Sequence, residues 1–121
     1  MRWLVTGYRG FLGRAILTHL RNAGIDAKPM TLQGRRVDLL ERTSLSAVFQ
    51  EENSVGVLHL AGIHGPQIAP SKFEHAHVET TRNLLEQGHG KIRRWISVGS
   101  AAEYGLSASE ELFEESSRCV P

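Results

Sequence analysis

Two rhythms of apolar residues alternate along the 121-residue chain. Short apolar runs are separated by stretches in which apolar positions recur every three or four residues, the periods of strand and helix. Arg2 to Thr6 predicts a first strand. From Phe11, the positions Phe11, Leu12, Ala15, Ile16, Leu17 and Leu20 form a helical stripe that Asn22-Ala23-Gly24 ends. Asp26 to Thr31 predicts a second strand, with Pro29 as a local conflict, since proline is confined to sheet edges and bulges. Arg35 to Leu39 predicts a short third strand, Leu45, Val48 and Phe49 a second helix, and Val55 to Ala61 a buried fourth strand. A loop over Gly62 to Ser71 leads into a third helix, Lys72 to Gln87, and Ile92 to Val98 predicts a fifth strand. This alternation is the order of a parallel sheet covered by helices. No repeat, low-complexity tract or linker divides the chain, so one doubly wound α/β unit over residues 1–121 is expected, with about five strands and flanking helices.

Composition narrows the class without naming a chemistry. The chain is 40% hydrophobic and 22% charged, ordinary for a globular protein. A net charge of +1 gives no field that points to nucleic acid or an anionic membrane surface. No apolar run approaches the roughly 20 residues of a membrane span. Arg9 and the glycines interrupt the first apolar stretch, so it does not read as a signal peptide. The single cysteine, Cys119, excludes an internal disulfide framework and fits a reducing compartment. A cytoplasmic protein is expected.

The chemistry begins at TGYRGFLG, residues 6 to 13, where Gly7, Gly10 and Gly13 recur at a spacing of three between a strand and a helix. A pyrophosphate needs backbone N–H donors at a helix N-terminus and a backbone with no Cβ atoms in the way. Gly7 is expected to make the turn, Gly10 to let the backbone approach phosphates, and Gly13 to let helix and strand pack closely. A purely structural tight turn is the alternative.

TGYRGFLG resembles the TGxxGxxG motif of the extended short-chain dehydrogenases/reductases, the NAD(P)-dependent epimerases and dehydratases of nucleotide sugars. The resemblance runs through almost the whole chain, in order: Val37-Asp38-Leu39, His59-Leu60-Ala61-Gly62, Thr81-Arg82-Asn83-Leu84-Leu85-Glu86, and Ile96 to Gly105. It implies a Rossmann-like fold. It places Phe11 and Leu12 with the three glycines in the cofactor loop, Asp38 and Leu39 beside the adenine, and Leu60, Ala61 and Gly62 under the cofactor. The family usually has Asn and Gly where this chain has His77 and Thr80, a change that bears on packing of the third helix near the active site.

The same resemblance bears on the choice of cofactor. An aspartate commonly ends the second strand and binds the adenosine ribose of NAD; by length that position is about Thr31, which is not acidic. A carboxylate there repels the extra phosphate of NADP, whereas an arginine pairs with it. Arg9 stands where a basic residue often marks NADP use, Arg35 or Arg36 supplies a second contact, and the YRG resembles the HRG of GDP-fucose synthases. NADP is therefore the expected cofactor, with NAD the alternative. Solvated surface charge is the plainer reading of the three arginines.

Family catalysis uses a Tyr-x-x-x-Lys pair to move a proton during hydride transfer, with a serine on the reacting oxygen. Ser100, four residues before Tyr104, stands where the resemblance puts that catalytic serine. Neither Tyr8 nor Tyr104 has a lysine four positions on, so the pair is absent from the chain. The ending resembles the region just before the tyrosine helix. The expectation is the N-terminal part of a longer nucleotide-sugar epimerase, dehydratase or reductase, or a truncated gene product, lacking the substrate domain and binding cofactor without turnover. A non-catalytic dinucleotide-binding or redox-sensing module is the alternative, and a reductase of some non-sugar carbonyl a third.

An apolar patch left near Ile96 and Val98 predicts self-association into a homo-oligomer. His75 and His77, two apart on a helix, do not face one direction, so no metal site is expected. His64 falls at the carboxyl edge of the sheet and reads as a surface histidine, Cys119 as a spectator. Glu110, Glu111, Glu114 and Glu115 read as a solvated helical face.

Overall fold

The computed structural model describes residues 1–65, 67–105 and 112–120. A four-stranded parallel sheet forms its centre, in the order β2 (Ala27–Pro29), β1 (Arg2–Thr6), β5 (Val55–His59), β6 (Ile92–Ser97). β1 is paired on both sides, with Leu4 opposite Lys28 on one and Val57 on the other. Helix α1 (Phe11–Asn22) connects β1 to β2, α2 (Arg42–Gln50) precedes β5, and a continuous helical stretch precedes β6. That stretch is α3 (Pro70–Phe73), a π-helical turn (Glu74–Glu79) and α4 (Thr80–Gln87).

The two faces of the sheet bury two separate cores, as strand periodicity requires. Leu4, Val55 and Val57 pack with Leu45, Val48 and Phe49 of α2 and Leu84 of α4. On the other face Val5 and Leu58 pack against Leu17 of α1, with Trp3, Ile16 and Leu20 partly buried around them. Leu4, Val5, Val55 and Val57 are fully inaccessible, which is how a sheet covered on both sides hides consecutive apolar residues. At the N-terminal ends of the strands, the buried carboxylate of Glu52 pairs with Lys28 Nζ at 2.6 Å, and Lys91 Nζ donates to its carbonyl at 2.7 Å.

Several expected elements differ. Pro29 does sit in the second strand, because β2 is an edge. Asp26 O accepts from Trp3 N–H and Met30 N–H donates to Val5 O, so the alternate residue Pro29 turns its missing donor outward. The expected third strand is not in the main sheet. Arg35–Arg36 (β4) folds back antiparallel on Thr31–Leu32 (β3) through Gln33 and Gly34, both with positive φ. Such a two-residue turn closes a tight hairpin and takes these residues out of the parallel stack. Glu114 and Glu115 lie in a turn, with Glu114 N–H bonded to Ser117 Oγ, rather than on a helical face; Glu110 and Glu111 lie outside the described residues.

β6 is the opposite edge. Its Trp95 reaches the core beside His59, with ring centroids 5.4 Å apart, while Ile96 and Val98 stand 50% and 60% exposed. Among the described residues, no helix is long and apolar enough to cross a membrane.

Candidate functional site

The site is built where the carboxyl ends of β1 and β5 meet the start of α1. Gly7 leaves β1 with φ +64°, and a Cβ there would stand 2.6 Å from Ala61 N, so only glycine fits against the end of β5. A Cβ on Gly13 would lie 2.2 Å from Gly7 O, which is how the first turn of α1 packs onto the loop. Gly10 is the N-cap of α1; its N–H donates to Gly7 O at 3.0 Å and its carbonyl accepts from Arg14 N–H. The helix start has no side-chain cap and no acidic residue in its first turn. Its leading N–H groups and positive dipole end are left for an anion.

One hydroxyl fastens the two strand ends together. Thr6 Oγ1 accepts from Leu60 N–H and Ala61 N–H, both at 3.1 Å, and lies 2.7 Å from His59 Nδ1. With both acceptor positions used, its proton goes to Nδ1, so His59 is neutral with its proton on Nε2. Burial, and secondarily the charge of His77, pushes His59 down to about 4 from 6.5.

The wall formed by residues 37–40 is fixed from within and from behind. Asp38 Oδ1 accepts from Leu40 N–H at 2.9 Å, and its carbonyl accepts from Glu41 N–H. The buried Asn83 of α4 donates through Nδ2 to Leu39 O at 3.1 Å. The wall after β5 is held from the π-helical turn, where His77 Nε2 lies 2.9 Å from Ile63 O. At the start of α4 the hydroxyls of Thr80 and Thr81 donate back to the carbonyls of Ala76 and His77 in that turn.

These parts enclose a cavity of about 690 Å³, within the range of cofactor sites. Of the residues expected at a dinucleotide site, Gly7, Arg9, Gly10, Asp38, Leu39, Leu60, Ala61 and Gly62 line it together. Phe11, Leu12, Gly13, Thr31, Arg35 and Ser100 are not among its lining residues. Gly13 is buried beneath the loop, and Phe11 is 94% exposed at the helix start. Thr31 and Arg35 belong to the hairpin. The cavity meets Met30, directly after β2, and Arg36, the other of the two arginines expected to supply a second contact. Ser100 is exposed beyond β6, where its carbonyl accepts from Glu103 N–H. Thr6, Ile63, Ala76 and Thr80 also line the cavity. Thr6 and Thr80 carried a usable signal, a hydroxyl beside the glycine motif and a departure within a helix. Ile63 and Ala76 carried none.

The donor set fits a pyrophosphate-bearing cofactor: an uncapped helix start, Gly10 at its mouth without a Cβ, and arginines on the rim. Among the described residues no cluster of His, Cys, Asp and Glu is arranged to hold a metal ion.

Comparison with known proteins gives the same architecture in longer chains. GDP-L-colitose synthase of Yersinia pseudotuberculosis is 28% identical over 120 residues, covering 95% of this chain and 38% of that protein. The UDP-glucose 4-epimerase of Thermus thermophilus, solved in complex with NAD, superposes with a TM-score of 0.87 at 24% identity, over all of this chain and 45% of that one. RMD from Pseudomonas aeruginosa, solved with NADPH, gives 0.81 at 26% identity, over all of this chain and 43% of its own. This chain thus spans less than half the length of each of them. The model of the NAD dependent epimerase/dehydratase family matches residues 3–121, and the chain belongs to that family.

Proposed function

We propose that the chain is the cofactor-binding portion of an enzyme that transfers hydride on a nucleotide sugar, and that it takes NADP in preference to NAD. The observation that carries the reading is the uncapped start of α1, opening through Gly10 into the cavity. In this reading the first-turn N–H groups of α1 bind the pyrophosphate. Asp38 and Leu39 flank the adenine, held in place by Asn83. Leu60, Ala61 and Gly62 form the floor under the other half, fixed to β1 through Thr6.

Arg9 and Arg36 both line the cavity, and Met30 rather than a carboxylate follows β2, an arrangement suited to a ribose phosphate. The nicotinamide, when bound, supplies the hydride chemistry. Ser100 is the residue offered for the substrate oxygen. The names of the relatives, a GDP-sugar synthase and a UDP-glucose epimerase, support a nucleotide sugar as the substrate class. The Tyr-x-x-x-Lys pair is not in this sequence, so the chain by itself binds cofactor without turnover. We place it in the cytoplasm, and the edge strand β6 with exposed Ile96 and Val98 as a contact with a second copy.

The test is to incubate the chain with NADP⁺ or NADPH and a panel of GDP- and UDP-sugars while following absorbance of the reduced nicotinamide. No change above the protein-free rate is expected. Steady turnover with any sugar overturns the claim that the chain lacks its proton relay.

A further inference from the structure

The wall after β5 is held by a side chain that does not itself line the cavity. His77 Nε2 lies 2.9 Å from Ile63 O and 3.3 Å from Ile63 N, so it donates to the carbonyl when protonated and accepts from the amide when not. Its ring stacks on Phe73, with centroids 6.0 Å apart and planes inclined by 17°. The ring also fills the space beside Gly62, where a Cβ would stand 2.5 Å from His77 Cε1. Gly62 and Ile63 line the cavity; His77 stands behind them. The π-helical turn that carries His77 is a rare distortion that recurs at functional sites.

We propose that His77 is a positioning residue for the half of the dinucleotide beyond the pyrophosphate, acting through the Gly62–Ile63 wall. The proposal rests on the cofactor reading above. The cavity runs from Asp38 and Leu39, past Gly7 and Gly10, to Leu60–Ile63, and His77 holds only the last of these walls. The adenine-side wall has its own anchor in Asn83. Loss of the imidazole therefore affects one half of the ligand and spares the other, which general destabilisation does not do.

The experiment is calorimetric titration of the full chain with NADP⁺ and with 2′,5′-ADP, which carries the adenine and ribose phosphate but no nicotinamide half. His77→Ala is expected to weaken NADP⁺ about tenfold, the scale of one lost hydrogen bond, and to leave 2′,5′-ADP within about twofold. His77→Gln, whose amide reaches the place of Nε2, restores most of the NADP⁺ affinity. His77→Met fills the ring's volume without its hydrogen bond; it replaces the alanine variant if that does not fold, with the same expectation. Unchanged NADP⁺ binding, equal loss of both ligands, or failure of Gln to rescue overturns the role of His77 alone. A wild-type chain that binds neither ligand overturns the cofactor reading, and this proposal with it.

Discussion

At the residue scale, Thr6 makes the contacts that only a hydroxyl can make together: it accepts from two N–H groups of the β5 loop and donates to His59. Thr6→Val keeps the shape and branching but strands three polar groups, two of them backbone amides. It is expected to cost about 3 kcal/mol by urea unfolding, with Thr6→Ser recovering most of the loss. A cost indistinguishable from zero contradicts the hydrogen-bond assignment. His59 adds a pH dependence with a definite sign. It stays neutral in the fold down to about 4 but takes up a proton near 6.5 when unfolded. The unfolded state thus binds more protons between these values, and stability, complete above pH 6.5, falls as pH drops toward 4. The loss is at most roughly 3–4 kcal/mol, at about 1.4 kcal/mol per unit. Urea midpoints measured from pH 7.5 to 4.5 should fall less steeply in His59→Gln than in the wild type. Parallel slopes contradict the assignment.

At the element scale, the junction of β1, loop and α1 leaves no room for added atoms at Gly13. Gly13→Ala is expected to push α1 off the loop and cost about 2–3 kcal/mol, the scale of an overpacked core, with a lowered melting temperature. An unchanged melt contradicts the packing seen here. This junction was legible in the sequence because glycine spacing, the strand before it and the helical stripe after it all agree. β1, β5, β6 and their helices were legible for the same reason, each carrying enough apolar residues to declare its period. The hairpin at Thr31–Arg36 was not. Its strands are two residues long, and Gln33, a non-glycine with positive φ, gives no turn signal. The hairpin also decides which residues face the cavity: of the expected Thr31 and Arg35 or Arg36, only Arg36 lines it, with Met30 beside it. The π-helical turn was equally hidden, because its apolar spacing reads as ordinary helix. What His77, Thr80 and Asn83 hold was hidden too, since a contact between distant segments leaves no local pattern.

At the scale of the whole molecule, the sheet has a closed centre, β1 and β5, between two edges, β2 and β6. β1 has neighbours on both sides and helices on both faces, whereas among the described residues β6 is paired on one side only, with Ile96 and Val98 exposed beside it. Sedimentation at rising concentration is expected to show self-association, reduced by Ile96→Lys with Val98→Lys; a monomer at all concentrations contradicts it. The cavity lies away from this edge, over the completed strand ends of β1 and β5 and the start of α1. In the proposed reading, cofactor binding is therefore expected of this chain by itself. The most direct measurement is calorimetric titration with NADP⁺ and NAD⁺, on the wild type and on Arg9→Ala. Binding of both nucleotides by the wild type is expected, with NADP⁺ tighter by about tenfold, the worth of a charge-assisted contact to phosphate. Arg9→Ala should remove most of that margin while leaving NAD⁺ binding in place. No binding of either nucleotide would contradict the cofactor reading itself; equal affinities unmoved by Arg9→Ala would contradict the choice of NADP.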